Sequence, residues 1–332
     1  MAASPGDGLG RVLVVGEALV DVRVDDGDPV GGPGDATVAE HPGGSPLNIA
    51  VGLARLGLPT TLATQVGDDA RGAAVTRHAA GSGVELLRLP SDRPTSTATV
   101  RVGPGGAATY DFDVAWDPET LPDPAGFALL HVGSIAATLA PGADTVAGLV
   151  TAAASAAVPV SFDPNLRPGV TPDLDDVRRR FRTVAQGSTV VKLSDEDAAL
   201  LRPDDDVRTV AAGLAALPGV RLAAVSLGAD GLLLRTTEHE LVVPAAAVEV
   251  VDTIGAGDTV MAALIAGLLL AASASPPGPD RLGPDRLGPR SLAWLGRLAT
   301  TAAAVCCSRP GADPPWRTEL PELSVPVGPT DG

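Results

Sequence analysis

The chain has 332 residues, 45% of them hydrophobic, and a formal net charge of −16. That length and apolar content suffice for one large α/β domain or two smaller ones, while the acidic balance argues against a nucleic-acid partner or an anionic membrane surface. Any bound phosphate must therefore be held locally, and since Lys192 is the only lysine, that task falls to backbone amides and arginines. Cys306 and Cys307 are adjacent and no spaced cysteine framework exists, so a cytoplasmic location is expected. The first ten residues lack the basic-then-apolar order of an export signal, and no membrane span is expected.

The first predicted strand is the Val/Leu run from Arg11 to Gly16, followed by Glu17-Ala18-Leu19-Val20-Asp21. Open α/β sheets bind ligands at the carboxyl ends of their strands, which puts Asp21 where it can accept hydrogen bonds from a polyol. A solvated loop acid is the plainer reading of Glu17. Residues 22–41 are rich in Gly, Asp and Pro with one β-prone piece, Ala36 to Ala39, and read as an excursion from the main sheet. His41-Pro42-Gly43-Gly44-Ser45-Pro46-Leu47-Asn48 then opens a helix. Gly43 and Gly44 let backbone approach a ligand, Ser45 suits the N-cap, Pro46 suits the first helical position, and Asn48 faces the same end.

A strand at Thr60 to Val66 and a helix at Ala70 to Ala80 start the βα rhythm of a parallel sheet. Thr95 to Val102 and Ala107 to Ala115 flank Gly103-Pro104-Gly105-Gly106 and read as a hairpin, which with 36–39 could form a small sheet, a lid over the sheet edge. Arg101 lies on this hairpin, where it could reach substrate or simply be solvated. Parallel organisation resumes with strands Leu129 to Val132 and Val158 to Phe162 around an Ala-rich helix, Ala143 to Ala156. Asp163-Pro164-Asn165-Leu166-Arg167 then brings an acid, an amide and a guanidinium to the binding edge, where Arg167 can pair with phosphate.

The strand Thr189 to Lys192 leads into acids that open a helix, and Leu222 to Ser226 leads through a second glycine turn, Gly228 to Gly231, into Leu232 to Arg235. The stretch Val250-Val251-Asp252-Thr253-Ile254-Gly255-Ala256-Gly257-Asp258 reads as a strand end, a glycine turn and an apolar helix from Met261 to Leu270. Gly255 and Gly257 can take φ > 0, so successive N–H groups converge at a helix N-terminus and form an anion nest. Asp258 at its mouth is a candidate general base; a plain helix cap is the alternative. The tandem Gly-Pro-Asp-Arg-Leu of 278–287 reads as a flexible surface insert spanning 275–290, and Leu292 to Cys307 as a last apolar helix.

Two of these motifs, Gly43-Gly44-Ser45-Pro46-Leu47-Asn48 and Asp252-Thr253-Ile254-Gly255-Ala256-Gly257-Asp258, in this order and spacing, resemble the two signatures of the ribokinase-like sugar kinases, the phosphofructokinase-B family. The resemblance covers nearly the whole chain. Gly16-Glu17-Ala18-Leu19-Val20-Asp21, Phe162-Asp163-Pro164-Asn165-Leu166-Arg167 and Lys192-Leu193-Ser194-Asp195-Glu196 look most like fructokinases. It implies a three-layer α/β/α sandwich with a mainly parallel central sheet and a small β-sheet lid. One kinase domain would span 1–332, with the lid formed by about 20–41 and 94–116.

The implied activity is ATP-dependent phosphorylation of a sugar hydroxymethyl group, best matched to fructose, with 2-keto-3-deoxygluconate kinase and ribokinase as runners-up. By the same resemblance Asp258 is the base and Gly255, Ala256 and Gly257 stabilise the transferring phosphoryl group. The resemblance also implies that Asp21, Gly44 and Asn48 bind the sugar, that Arg167 lies near the phosphates and that Ser226, Gly228 and Gly231 line the nucleotide. Gly43, Arg101 and Arg167 are further substrate candidates, and Lys192, Ser194 and Gly257 further nucleotide candidates. Asp197 would order Mg²⁺ through water, although Ser194 replaces the asparagine of the family's Asn-x-x-Glu motif, and Asp252 would serve a K⁺ ion. A homodimer paired through the lid is a further expectation. A Rossmann dehydrogenase is disfavoured because Gly16 is followed by Glu17-Ala18-Leu19 rather than a Gly-x-Gly-x-x-Gly turn; a catalytically silent sugar-binding regulator stays open on fold alone.

Overall fold

Short β-branched runs buried on both faces pair in parallel, and they set the frame of the computed structural model, which describes residues 10–25, 37–102, 108–273 and 287–321. In chain order its elements are β1 (Val12–Val15), β2 (Leu19–Asp25), β3 (Thr37–Gly43), α1 (Ser45–Arg55), β4 (Thr60–Gln65), α2 (Ala70–Gly81) and β5 (Glu85–Leu89). Then come β6 (Thr97–Val102), β7 (Ala108–Asp113), β8 (Leu129–Gly133), α3 (Gly142–Ser155), β9 (Val160–Asp163), α4 (Leu174–Gln186), β10 (Val190–Ser194) and α5 (Asp195–Leu201). The chain continues with α6 (Val207–Ala215), β11 (Leu222–Ser226), β12 (Leu232–Arg235), β13 (Glu240–Val243), α7 (Ala256–Ser273) and α8 (Pro289–Cys307).

The central sheet has nine strands in the order β13-β12-β11-β10-β9-β8-β1-β4-β5. All neighbours from β11 to β5 are parallel, and the two pairings at the β13 edge are antiparallel. One face packs on α1, α2, α7 and α8 through residues such as Val12, Val14, Val190, Leu53 and Leu264. The other packs on α3 to α6 through Leu13, Val15, Phe162, Val150 and Val184. This is the expected three-layer sandwich. Helix α7 is long and apolar enough to cross a bilayer by composition, yet most of it is buried inside the protein, against α1 and α8.

The second sheet has the order β3-β2-β6-β7. Its centre is β2, where Val20, Val22 and Val24 are buried in the first core, so that the strand's period of two turns Asp21 to the other face. Asp21 pairs with His41 on β3 and with Ala98 on β6. Arg101 pairs with Val24, which places it on the face opposite Asp21.

Several expectations need correction. Val250 and Val251 form no strand: both are exposed, and the N–H groups of Val251 and Asp252 donate to the Cys307 carbonyl at the end of α8. Within the lid expected at about 20–41, residues 19–25 form an inner strand of the second sheet rather than loop. Helices α4 and α6 and the edge strands β5 and β13 were not expected. The insert expected at 275–290 lies mostly outside the described residues, but Leu287 at its end is buried in the core and Pro289 already starts α8.

Candidate active site

The first turn of α7 meets the first turn of α1. Gly255 takes φ +75°, and a Cβ there would lie 2.6 Å from Ala312 Cβ, so glycine is needed both for the turn and for the close approach. The Ala256 N–H donates to the Thr253 carbonyl at 3.2 Å, whereas those of Gly255, Gly257 and Asp258 find no backbone acceptor among the described residues. The nest therefore leaves out the Ala256 amide that the motif suggested. Asp258 is buried and accepts hydrogen bonds from Ser45 Oγ at 2.6 Å and Asn48 Nδ2 at 2.8 Å.

Helix α1 can supply both donors because of its own start. Gly44, at φ +103°, is the N-cap and offers no side chain, and Ser45 is already the first helical residue. Ser45 thus does not cap the helix as expected, and its hydroxyl is free for Asp258. Asn48 Oδ1 is buried with no partner among the described residues, an exception among buried polar atoms.

Asp21 approaches from the lid. A Cβ on Gly43 would overlap Asp21 Oδ2, which explains the first glycine of the pair. Desolvation raises the Asp21 pKa, Arg167 and His41 pull it down, and Asp258 adds to the rise. These groups share one electrostatic neighbourhood, and His41 is a member that the sequence did not single out. Arg167 follows Asn165, whose φ is 36°, and its Nη1 donates to the Leu166 carbonyl at 2.9 Å. The lid touches this turn: a Cβ on Gly169 would lie 3.0 Å from the Phe112 ring. Arg101, on the other face of the lid sheet, is not brought to the site.

Lys192 lies deeper than expected for a nucleotide contact. It is buried on β10, and its Nζ donates to Asp163 Oδ2 at 2.8 Å. A Cβ on Gly257 would lie 3.0 Å from that Nζ. Burial acts to lower the Lys192 pKa, but Asp163, Asp258 and Asp197 outweigh it and hold the ammonium above its ordinary value. Ser194 and Asp197 form a capping box on α5: Asp197 N donates to Ser194 Oγ, and Asp197 Oδ2 accepts from Ser194 N. Asp197 Oδ1 also accepts from Leu166 N at 2.9 Å, tying α5 to the turn that carries Arg167.

Of the residues expected at the nucleotide, Ser226 ends β11 beside Ser194. Gly228 takes φ +55° in the turn that follows. Gly231 has a structural reason of its own, since a Cβ there would overlap the Val243 carbonyl on β13. Asp252 accepts from Ile254 N at 3.0 Å and Gly311 N at 2.8 Å. Burial alone would raise its pKa, but the N–H groups of Ile254, Gly311 and Thr253 hold it down. The Ile254 carbonyl beside it faces the Cys306 thiol at 3.6 Å.

Glu17 is not a solvated loop acid. It is buried where β1 passes to β2, its Oε2 accepts from Ala136 N at 2.9 Å, and burial pushes its pKa to about 7 against hydrogen bonds from Ser134 and neighbouring N–H groups. Its backbone carbonyl lies 2.9 Å from where a Cβ on Gly44 would be, so Glu17 packs behind the start of α1.

Residues 10–319 match the pfkB family carbohydrate kinases. A fructokinase of Klebsiella pneumoniae is 34% identical over 312 residues, covering 92% of this chain and 97% of that protein. Among solved structures, a fructokinase with bound ATP from Xylella fastidiosa superposes with a TM-score of 0.77 at 26% identity, over 94% of this chain and 96% of the other. A fructokinase double mutant from Vibrio cholerae with fructose, ADP and potassium ion bound gives a TM-score of 0.70 at 25% identity, over 95% and 96% of the two chains. By the extent of the family match and the identity to these relatives, the chain belongs to the pfkB family of carbohydrate kinases.

Proposed function

We propose that this chain is an ATP-dependent fructokinase, with Asp258 as general base. The carrying observation is the convergence of Ser45 and Asn48 on Asp258 beside the glycine nest. The two hydrogen bonds fix the carboxylate's orientation, so it can take the proton of a sugar hydroxyl as that oxygen attacks phosphorus. The N–H groups of Gly255 and Gly257 face the developing negative charge. Asp21 and Asn48 hold sugar hydroxyls, Arg167 meets phosphate, and Ser194, Ser226 and Gly228 line the nucleotide. Fructose is favoured because the curated relatives at 30–34% identity carry the name fructokinase.

Among the described residues no group of three or more His, Cys, Asp and Glu side chains forms a metal cluster. That donor set suits Mg²⁺ held mainly by nucleotide phosphates and water, with Asp197 ordering a water through the lone pairs its backbone bonds leave. Bound Mg²⁺ supplies neutralisation of phosphate charge. The Asp252 carboxylate and Ile254 carbonyl are oxygen donors fit for K⁺. The chain acts as one domain whose second sheet closes over the sugar, its location is cytoplasmic, and two copies pair through their lids.

Steady-state assays with ATP across fructose, ribose, 2-keto-3-deoxygluconate and common nucleosides test the substrate. The expected result is the highest kcat/KM for fructose; a clearly higher value for another member of the panel refutes fructose, and no transfer to any refutes the kinase reading.

A further inference from the structure

Helix α1 ends on Arg55, the basic residue of its last turn. A cation there ordinarily answers the carbonyl end of its own helix, but the donors of Arg55 go elsewhere. Its Nε donates to Ser82 Oγ at the end of α2, at 3.1 Å, and its Nη1 donates to Asp313 Oδ1 and, at 2.7 Å, to the Pro314 carbonyl. The guanidinium also lies 5.1 Å from the centre of the Trp316 ring. Its side chain is only 12% exposed, so these charge-assisted contacts are little screened by solvent.

We propose that Arg55 is a positioning residue for the glycine nest: from the far end of α1 it fixes residues 309–316, and they in turn fix the Asp252–Gly255 turn. This rests on the kinase reading above and assigns a role to a residue that the reading does not use.

Residues 309–316 belong to no helix or strand. No ladder of backbone bonds sets their course, so a few anchors must. Four consecutive residues connect the nest to α1. Gly311 N donates to Asp252 Oδ2 at 2.8 Å. Ala312 lies on Gly255, whose Cβ position is 2.6 Å from Ala312 Cβ and 2.9 Å from Ala312 Cα. Asp313 and Pro314 are the acceptors of Arg55, and Pro314 also lies 3.7 Å from the Cβ position of Gly52 on α1. Arg309 donates to Asp313 at 3.4 Å, but it belongs to the same segment and cannot tie it to α1.

About 15 Å of helix separates Ser45 from Arg55. Through Ser45 and Asn48 the helix registers the carboxylate of Asp258, and through Arg55 it registers the turn that precedes it. The directions of the Gly255 and Gly257 N–H groups follow from the left-handed φ of Gly255, which Ala312 backs. A displacement of about 1 Å caused by a change far from the chemistry can lower a rate by about a hundredfold. Arg55 exchanges no proton and touches no substrate. Lysine could not replace it, since a single ammonium lacks the planar fork that meets three acceptors and stacks on an aromatic ring.

The test compares full-length wild type with Arg55→Met, Arg55→Lys and Asp313→Ala. Its readouts are amide hydrogen exchange, kcat, and KM for ATP and for fructose. Both Arg55 variants should speed exchange of the Gly311 amide by about tenfold or more, with the amides of α1 unchanged. Their kcat should fall by about tenfold to a hundredfold and KM for ATP should rise, while KM for fructose stays within about twofold of wild type. Should the Arg55 variants not fold, Asp313→Ala decides, with the same split expected. Exchange that quickens equally in α1, or a fructose KM that rises as much as that for ATP, would make Arg55 a stabiliser of its own helix and overturn the proposal. Wild-type kcat with a loosened segment would overturn it too, as would full rescue by lysine. A wild type that phosphorylates no sugar refutes the kinase reading; an active wild type whose Arg55 variants keep kcat and KM refutes only the role of Arg55.

Discussion

Asn48 Nδ2 donates a 2.8 Å hydrogen bond to Asp258 Oδ2, joining the two glycine motifs across 210 residues of sequence. Together with the Ser45 hydrogen bond to the same carboxylate, it registers α1 against α7. Truncation of Asn48 removes a donor from a buried carboxylate and also deletes the unpartnered Oδ1.

Asn48→Ala should therefore lower kcat/KM for the sugar by about tenfold to a hundredfold, the equivalent of leaving one buried charged group short of a partner. The KM for ATP should hardly move. Steady-state kinetics at fixed saturating ATP checks this; an equal loss for both substrates would mean that α1 as a whole has shifted.

The α1–α7 crossing that sets this bond depends on a small pair, since a Cβ on Gly52 would lie 2.8 Å from Ala262 Cβ. Gly52→Val should cost about 1–3 kcal/mol by overpacking and lower kcat as Asp258 and Asn48 are pushed apart. Gly52→Ala combined with Ala262→Gly, which exchanges the methyl group, should recover both. Urea unfolding and turnover of the same preparations report the two effects together.

Local chemistry explains what the sequence made legible. Glycines with a left-handed φ or a close neighbour, such as Gly44 and Gly255, announce turns by composition, and Asn48 and Asp258 follow them at fixed offsets. The parallel strands were readable as buried Val/Leu runs. Burial and pairing were less readable, being tertiary. Glu17 looks like a loop acid until the Ser134–Ala137 turn closes over it. Ser45 looks like a cap until Gly44 takes that position. Val250 and Val251 have β propensity but no neighbouring strand to pair with. Lys192 and Asp163 become a pair only through the register of β9 and β10, and Arg101 is turned from the site by the alternation of β6.

Glu17 gives the protein a distinctive pH dependence. Its folded pKa of about 7 lies above its ordinary 4.5, so the folded state binds the proton more tightly than the unfolded one. The associated stability is complete below pH 4.5 and is lost as pH rises through 7. The shift corresponds to about 3 kcal/mol. Glu17→Gln should remove that share of the slope, so urea unfolding at pH 5 and pH 8 should show wild type losing about 2.5 kcal/mol more than the variant. Parallel losses would show that Glu17 is ionised in the folded protein throughout.

The lid predicts dependence on bound sugar. If closure of the second sheet completes the site, ATP hydrolysis in the absence of sugar should be slow. Asp21→Ala should raise KM for the sugar far more than KM for ATP. Gly43→Ala should reproduce that split without touching the carboxylate, because its methyl group would take the space of Asp21 Oδ2. A Gly43→Ala enzyme with wild-type sugar KM would detach Asp21 from substrate binding.

Asp258 is the residue on which the nest, α1 and the buried lysine all converge, and its replacement is the most direct measurement. Asp258→Asn keeps the shape and an acceptor oxygen but cannot take a proton. Its kcat should fall by at least about a hundredfold, the lower end of general-base contributions, while calorimetry still detects ATP binding and the melting temperature stays near that of wild type. Near-normal turnover by the folded variant would contradict the assignment of Asp258 as the base.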